Sequence, residues 1–138
     1  MLPFAIGIGL TICLLFVAWG LGLEKDRGVW VTTMISIASF YVLFAVQYGD
    51  LKTILIQIGI ALTFIGLALF GYKRSLYWVA AALLLHAIYD GIMFGHDPAP
   101  EWWGPFCLAV DFLLAAALFY WIKTGHIAET LELNKDAK

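Results

Sequence analysis

His86 and Asp90 stand four residues apart in His-Ala-Ile-Tyr-Asp, and a second carboxylate, Asp111, closes the stretch Cys-Leu-Ala-Val-Asp. Residues at i and i+4 share one face of a helix, so the histidine and the first carboxylate face the same neighbours. One imidazole beside two carboxylates can share a proton with them, bind a cation, or carry out general acid-base work. The same three side chains offer the N and O ligands of a zinc or iron site, with His96 or Glu101 as further candidates. The plainer reading is that His86 and Asp90 satisfy each other while Asp111 bonds a nearby hydroxyl and stabilises the fold. A single i,i+4 pair is common by chance and does not decide between these readings.

The surroundings of the three residues shift the balance toward a site. The chain has 138 residues, of which 63% are hydrophobic and 13% charged, with a mean hydropathy of +0.91. A domain of this size has more surface than core and cannot hide that much apolar area from water. A bilayer accepts it, because lipid solvates the outer faces of helices. An apolar helix needs about 20 residues to cross roughly 30 Å of hydrocarbon. Five segments meet that length, at 3–23, 29–49, 52–71, 75–94 and 103–123. The expected fold is therefore an all-α integral membrane protein, an up-down bundle of five transmembrane helices spanning residues 1–124, with 125–138 as a short polar cytoplasmic tail. Links as short as Glu24-to-Gly28, Gly49-to-Leu51 and Tyr72-to-Arg74 predict that consecutive helices lie adjacent and antiparallel. Pro98 and Pro100 stop helix continuation in the longest link, and Pro105 falls where a first-turn proline is tolerated. The first segment lacks the basic start of a cleaved signal and reads as a retained helix.

Orientation follows from the cations. With the N-terminus outside, seven of the eight lysines and arginines (Lys25, Arg27, Lys73, Arg74, Lys123, Lys135 and Lys138) fall inside, and only Lys52 falls outside. Asp97 and Glu101 occupy the outer loop. Trp102 and Trp103 at one boundary, and Tyr72, Tyr120 and Trp121 at the other, suit interfacial aromatic belts. The Glu24-Lys25-Asp26-Arg27 turn reads as a solvated turn that pairs its own charges.

This frame places the three ionisable residues in the outer half. At 1.5 Å per residue, His86 and Asp111 lie roughly 12 Å below the outer boundary and Asp90 about half that. A charge in the middle of a membrane helix costs roughly 2.5–3.5 kcal/mol on insertion scales, so such groups turn inward and pair. The only cation available to the two aspartates at that depth is a protonated His86. Gln47 and Gln57 are candidate neighbours of the cluster. Small residues should mediate helix contacts: Gly7 with Thr11 and Gly9 with Cys13 on the first helix, Thr32, Ser36 and Ser39 on the second, and Gly59, Thr63 and Gly66 on the third.

The net charge of −2 and the lack of a basic run argue against a nucleic-acid partner. Cys13 and Cys107 form no CxxC pair and read as small hydrophobes. His96 and His126 read as ordinary loop and tail histidines. Together, Glu-Lys-Asp-Arg after the first helix, Ile-Ala-Ser-Phe-Tyr-Val-Leu-Phe-Ala at 37–45, His86 with Asp90, and Pro-Glu-Trp-Trp-Gly-Pro-Phe-Cys-Leu-Ala-Val-Asp ending at Asp111 carry a resemblance. The chain resembles a group of small uncharacterised bacterial inner-membrane proteins. That resemblance implies an inner (plasma) membrane location and no particular chemistry.

Three functions fit these residues. The first is binding or translocation of a proton, ion or small solute at His86, Asp90 and Asp111, by a homo-oligomer, since five helices line only a narrow cavity. The second is an accessory or scaffold subunit of a membrane complex. The third is a membrane-embedded enzyme, metal-dependent or not, acting on a lipid-like substrate. No cofactor is strongly indicated; a divalent metal is compatible with the three side chains.

Overall fold

The computed structural model describes residues 1–95 and 98–130. His96 and Asp97 of the predicted outer loop, and tail residues 131–138 with Lys135 and Lys138, lie outside the described residues. Five α-helices follow one another: α1 Leu2–Leu21, α2 Arg27–Tyr48, α3 Leu51–Lys73, α4 Tyr77–Met93 and α5 Trp103–Lys123, with a single 3-10 turn at Leu23–Lys25 between the first two. No strand occurs among the described residues. Helices α1, α2, α3 and α5 are each long and apolar enough to cross a membrane, whereas α4, at 17 residues, is shorter.

The helix limits have local causes. Gly22 ends α1 in the left-handed conformation (φ 72°), and its N–H bonds the carbonyls of Ala18 and Trp19, the usual glycine termination. Asp26 and Asp50 cap α2 and α3, accepting from Gly28 N at 2.7 Å and Thr53 N at 2.8 Å. Hydrogen bonds from the Thr53 side chain and backbone hold the exposed Asp50 carboxyl below the usual carboxylate range.

The helices pack in the order α1, α5, α4, α3, α2, and α2 also reaches α4. This corrects one expectation. Helices α1 and α2 are joined by a short turn yet have no close backbone approach to each other; α1 docks on α5 instead. The reason is visible at Gly7. A Cβ there would meet the Phe106 carbonyl oxygen at 2.6 Å and Ala109 Cβ at 3.1 Å, so only glycine lets the two helices come this close. Thr11, fully buried, bonds back to Gly7 O at 2.8 Å and keeps its hydroxyl satisfied in the contact. The other predicted small-residue faces behave differently: Gly9 and Cys13, Thr32, Ser36 and Ser39, and Gly59, Thr63 and Gly66 are all exposed. Their hydroxyls turn inward along their own helices, as with Ser36 onto Thr32 O and Thr63 onto Gly59 O.

Where α2 faces α5, large side chains fill the wider gap. Trp30 meets Trp121 edge-on at 5.9 Å, and Phe40 and Phe44 pack on Trp103 at 5.0 and 4.9 Å. The main core runs through Met34, Ala38, Ala68, Val79, Leu83, Leu118 and their neighbours. Outside it, side chains such as Leu10, Ile12, Phe16, Leu43, Leu62, Leu85 and Phe119 stand exposed. Only 11% of the most apolar stretch of α1 is buried. Soluble proteins seldom expose continuous apolar surface on this scale, so the exterior is compatible with lipid.

A second correction concerns the Glu24–Arg27 turn, expected to be solvated. Glu24 is 1% and Arg27 4% exposed. The Arg27 guanidinium donates to four backbone carbonyls: Gly71 at 3.0 Å and Tyr72 at 2.7 Å at the end of α3, and Ala128 at 3.2 Å and Glu129 at 2.6 Å beyond α5. Glu24 Oε1 lies 2.9 Å from His126 Nε2. The chain after α5 folds back across this end of the bundle, with Ile127 2% exposed in the core and Glu129 O accepting from Leu76 N at 3.0 Å. Residues 125–130 are therefore part of the packed bundle and not a free tail. The physical reason is that α3's final carbonyls need donors, and one buried guanidinium supplies them while also holding the returning chain.

Candidate functional site

At the opposite end from Arg27, α4 and α5 bring the three predicted residues together. His86 is 1% exposed, and Asp90 and Asp111 are 0%. His86 Nδ1 and Asp111 Oδ2 share a hydrogen bond of 2.7 Å, while Asp90 Oδ2 lies 3.5 Å from the same nitrogen. The i,i+4 spacing thus does what it predicted, and Asp111 reaches across from α5 at matching depth. Counting from the helix ends, Asp90 lies about 4–5 Å in, His86 about 10 Å and Asp111 about 12 Å.

Two residues that the sequence reading passed over complete the cluster. The Tyr41 hydroxyl on α2 donates to Asp90 Oδ1 at 2.6 Å. Tyr89, one residue before Asp90, donates to Gln57 Oε1 on α3 at 2.9 Å. Four helices therefore contribute to one polar layer. Tyr41 sits about 10 Å from the end of α2, at the depth of His86. Of the two glutamines expected beside the cluster, Gln57 is buried and tied to it through Tyr89. Gln47 is exposed near the end of α2.

The imidazole is held in an aromatic box. The rings of Phe64, Tyr41 and Tyr89 lie 4.9, 5.8 and 5.9 Å from it. Toward the nearer end of the bundle, Tyr41, Trp103 and Cys107 form a second packed group with Phe44 and Phe106. Trp103, expected in an interfacial belt, is 9% exposed and points into this group, whereas Trp102 is 50% exposed. Gly104 packs against the end of α4, where a Cβ would sit in ordinary contact with Asp90 O at 3.4 Å and Phe94 Cδ2 at 3.5 Å. The cluster is thus roofed by aromatic side chains.

Its electrostatics are unbalanced. Asp90 Oδ2 and Asp111 Oδ1 are buried and have no hydrogen-bond partner, although buried carboxylate oxygens are nearly always paired. No lysine or arginine side chain contributes to the cluster among the described residues; the buried Arg27 is engaged at the far end. Two carboxylates therefore face at most one imidazolium in a low-dielectric setting, where an unpaired charge is costly.

No family model, no curated protein and no solved structure matches the chain. The site must be read from its own chemistry. Five grooves on the surface of the described residues, such as the apolar one between Tyr77, Leu84, Phe112 and Phe119, have no wall from His86, Asp90 or Asp111. The three side chains of the cluster are themselves buried. Such a site can hold a proton as it stands, and a small cation once the 2.7 Å contact between His86 and Asp111 opens. Anything larger requires the aromatic roof to move.

Proposed function

We propose that this chain is a membrane-embedded helical bundle that binds, or moves across the bilayer, a proton, an ion or a small solute at His86, Asp90 and Asp111. The observation that carries this reading is the pair of buried aspartate side chains, each with an oxygen left without a donor. Ionisable groups inside membrane helices are expensive and mark ion or proton pathways more often than they serve packing alone. In this reading all five helices span an inner (plasma) membrane, α4 with the help of the chain on either side of it. The N-terminus lies outside, the site faces the outer half, and copies of the chain associate.

One observation favours the alternative of an accessory subunit. Asp90 and Asp111 each have one satisfied oxygen, on Tyr41 and His86, so the cluster also ties α2, α4 and α5 together. Asp111→Asn separates the two readings, because asparagine keeps the volume and a hydrogen bond while removing the charge. Reconstituted in liposomes, the wild-type chain should carry a pH-dependent proton or ion flux that the folded Asp111→Asn chain lacks. An unchanged flux, or a change confined to thermal stability, would hand the cluster to the accessory reading.

A further inference from the structure

We infer that the His86 cluster is a divalent transition-metal site, with His86 Nδ1 and one oxygen each from Asp90 and Asp111 as its ligands. This rests on the ion-binding reading above and names the ion. The three ligand atoms all lie within 4.8 Å of one another, on side chains that are each buried. A metal held at about 2.0–2.2 Å from nitrogen and oxygen ligands in a tetrahedral arrangement sets those ligands roughly 3.3–3.6 Å apart. The separation of His86 Nδ1 from Asp90 Oδ2, 3.5 Å, already has that value. The 2.7 Å contact to Asp111 has only to open by less than about 1 Å. Side-chain torsions supply such a movement with no shift of the helices.

The two unpartnered oxygens are the independent sign of a ligand. Asp90 Oδ2 and Asp111 Oδ1 are acceptors with no donor from the protein; a cation takes Asp90 Oδ2 as a ligand and, through the ligand Asp111 Oδ2, offsets the charge of the carboxylate that carries Oδ1. Charge selects its valence. Against two carboxylates and a neutral imidazole, a divalent ion leaves no net charge in the interior, whereas sodium or potassium leaves one carboxylate uncompensated. The nitrogen ligand selects the kind of ion. Calcium and magnesium take oxygen shells, and magnesium keeps several waters. Imidazole with carboxylate suits zinc, iron and their neighbours in the first transition row.

The surroundings have the form that outer-shell groups around metals take. Tyr41 donates to Asp90 Oδ1 and so leaves Oδ2 turned toward His86. The three aromatic rings fix the plane of the imidazole. Tyr41 is a positioning residue in this account. Three ligands from the chain leave a fourth position for water or a substrate atom.

The test uses the full chain, purified in detergent, stripped with a chelator and given zinc alone. Zinc per polypeptide is measured by elemental analysis after gel filtration. The expected result is one zinc per chain, retained against a hundredfold excess of magnesium. Asp111→Asn should weaken binding at least tenfold, Tyr41→Phe by about tenfold, and His126→Gln, at the far end, should not change it. A folded wild-type chain that retains no zinc overturns the inference, as does an Asp111→Asn chain that retains as much as wild type. Metal-free liposomes in which proton flux disappears with Asp111→Asn would sink the metal and leave the ion-binding reading standing. Absence of both zinc and flux would remove both.

Discussion

Tyr41 tests what the polar layer is worth to the fold. Its hydroxyl makes the 2.6 Å bond to Asp90, and Tyr41→Phe removes that oxygen while leaving the ring in its aromatic contacts. Hydrogen bonds to charged groups contribute about 1.5–3 kcal/mol in water-soluble proteins, but those between membrane helices average nearer 0.6 and reach about 1.7. For a bundle that spans a membrane, as proposed, the second scale governs, and its upper end applies because the change strips a buried carboxylate of its donor. Unfolding of Tyr41→Phe in mixed micelles should therefore show a loss of about 1–2 kcal/mol. A loss below about 0.3 kcal/mol would mean that Asp90 finds another partner at no cost. His86, Asp90 and Asp111 were legible in the sequence because charge in an apolar segment is conspicuous and helical rise converts position into depth. Tyr41 was not, since a tyrosine in such a segment is unremarkable until a carboxylate is known to face it. Gln47 fails for a related reason. Depth alone does not fix the face of a helix, and its face is exposed.

Helix limits and number could be read from hydropathy and caps, but helix partners could not. The short link from α1 to α2 suggested that they pack together, yet a link constrains only the ends of two helices, while the approach along their length is decided by which surfaces admit it. On α1, Gly7 and Gly9 look equivalent in sequence. In the bundle, a Cβ at Gly7 would run into the Phe106 backbone at 2.6 Å, and one at Gly9 meets nothing within 4 Å. Gly7→Leu should part α1 from α5 and cost at least about 2 kcal/mol, within the range of overpacked cores. Gly9→Leu should stay within about 0.5 kcal/mol of wild type, as surface substitutions do. Thermal unfolding of the two variants in one detergent compares them directly. Equal losses would mean that α1 does not dock on α5 through this face.

At the scale of the whole molecule, the bundle has a polar centre near each end, and the two are held differently. The His86 layer joins helices that are already neighbours. The Arg27 clamp joins segments about a hundred residues apart in sequence, from the start of α2 to the chain beyond α5. That separation is why the turn at 24–27 read as solvated. Nothing local shows that a returning segment will cover it, whereas the cation count needed only the positions of charges along the chain. One guanidinium spans four carbonyls because its donors fan out in a plane, and an ammonium has no such reach. Arg27→Lys should therefore behave much like Arg27→Ala. Both should lose at least about 2 kcal/mol, the scale of a charged hydrogen-bond network left open. Both should also free residues 124–130 to protease and to hydrogen exchange, while the region around His86 keeps its protection. Lysine restoring the protected segment would show that charge alone holds the end of the chain, and the planar fit to α3's last carbonyls would not be what closes this pole.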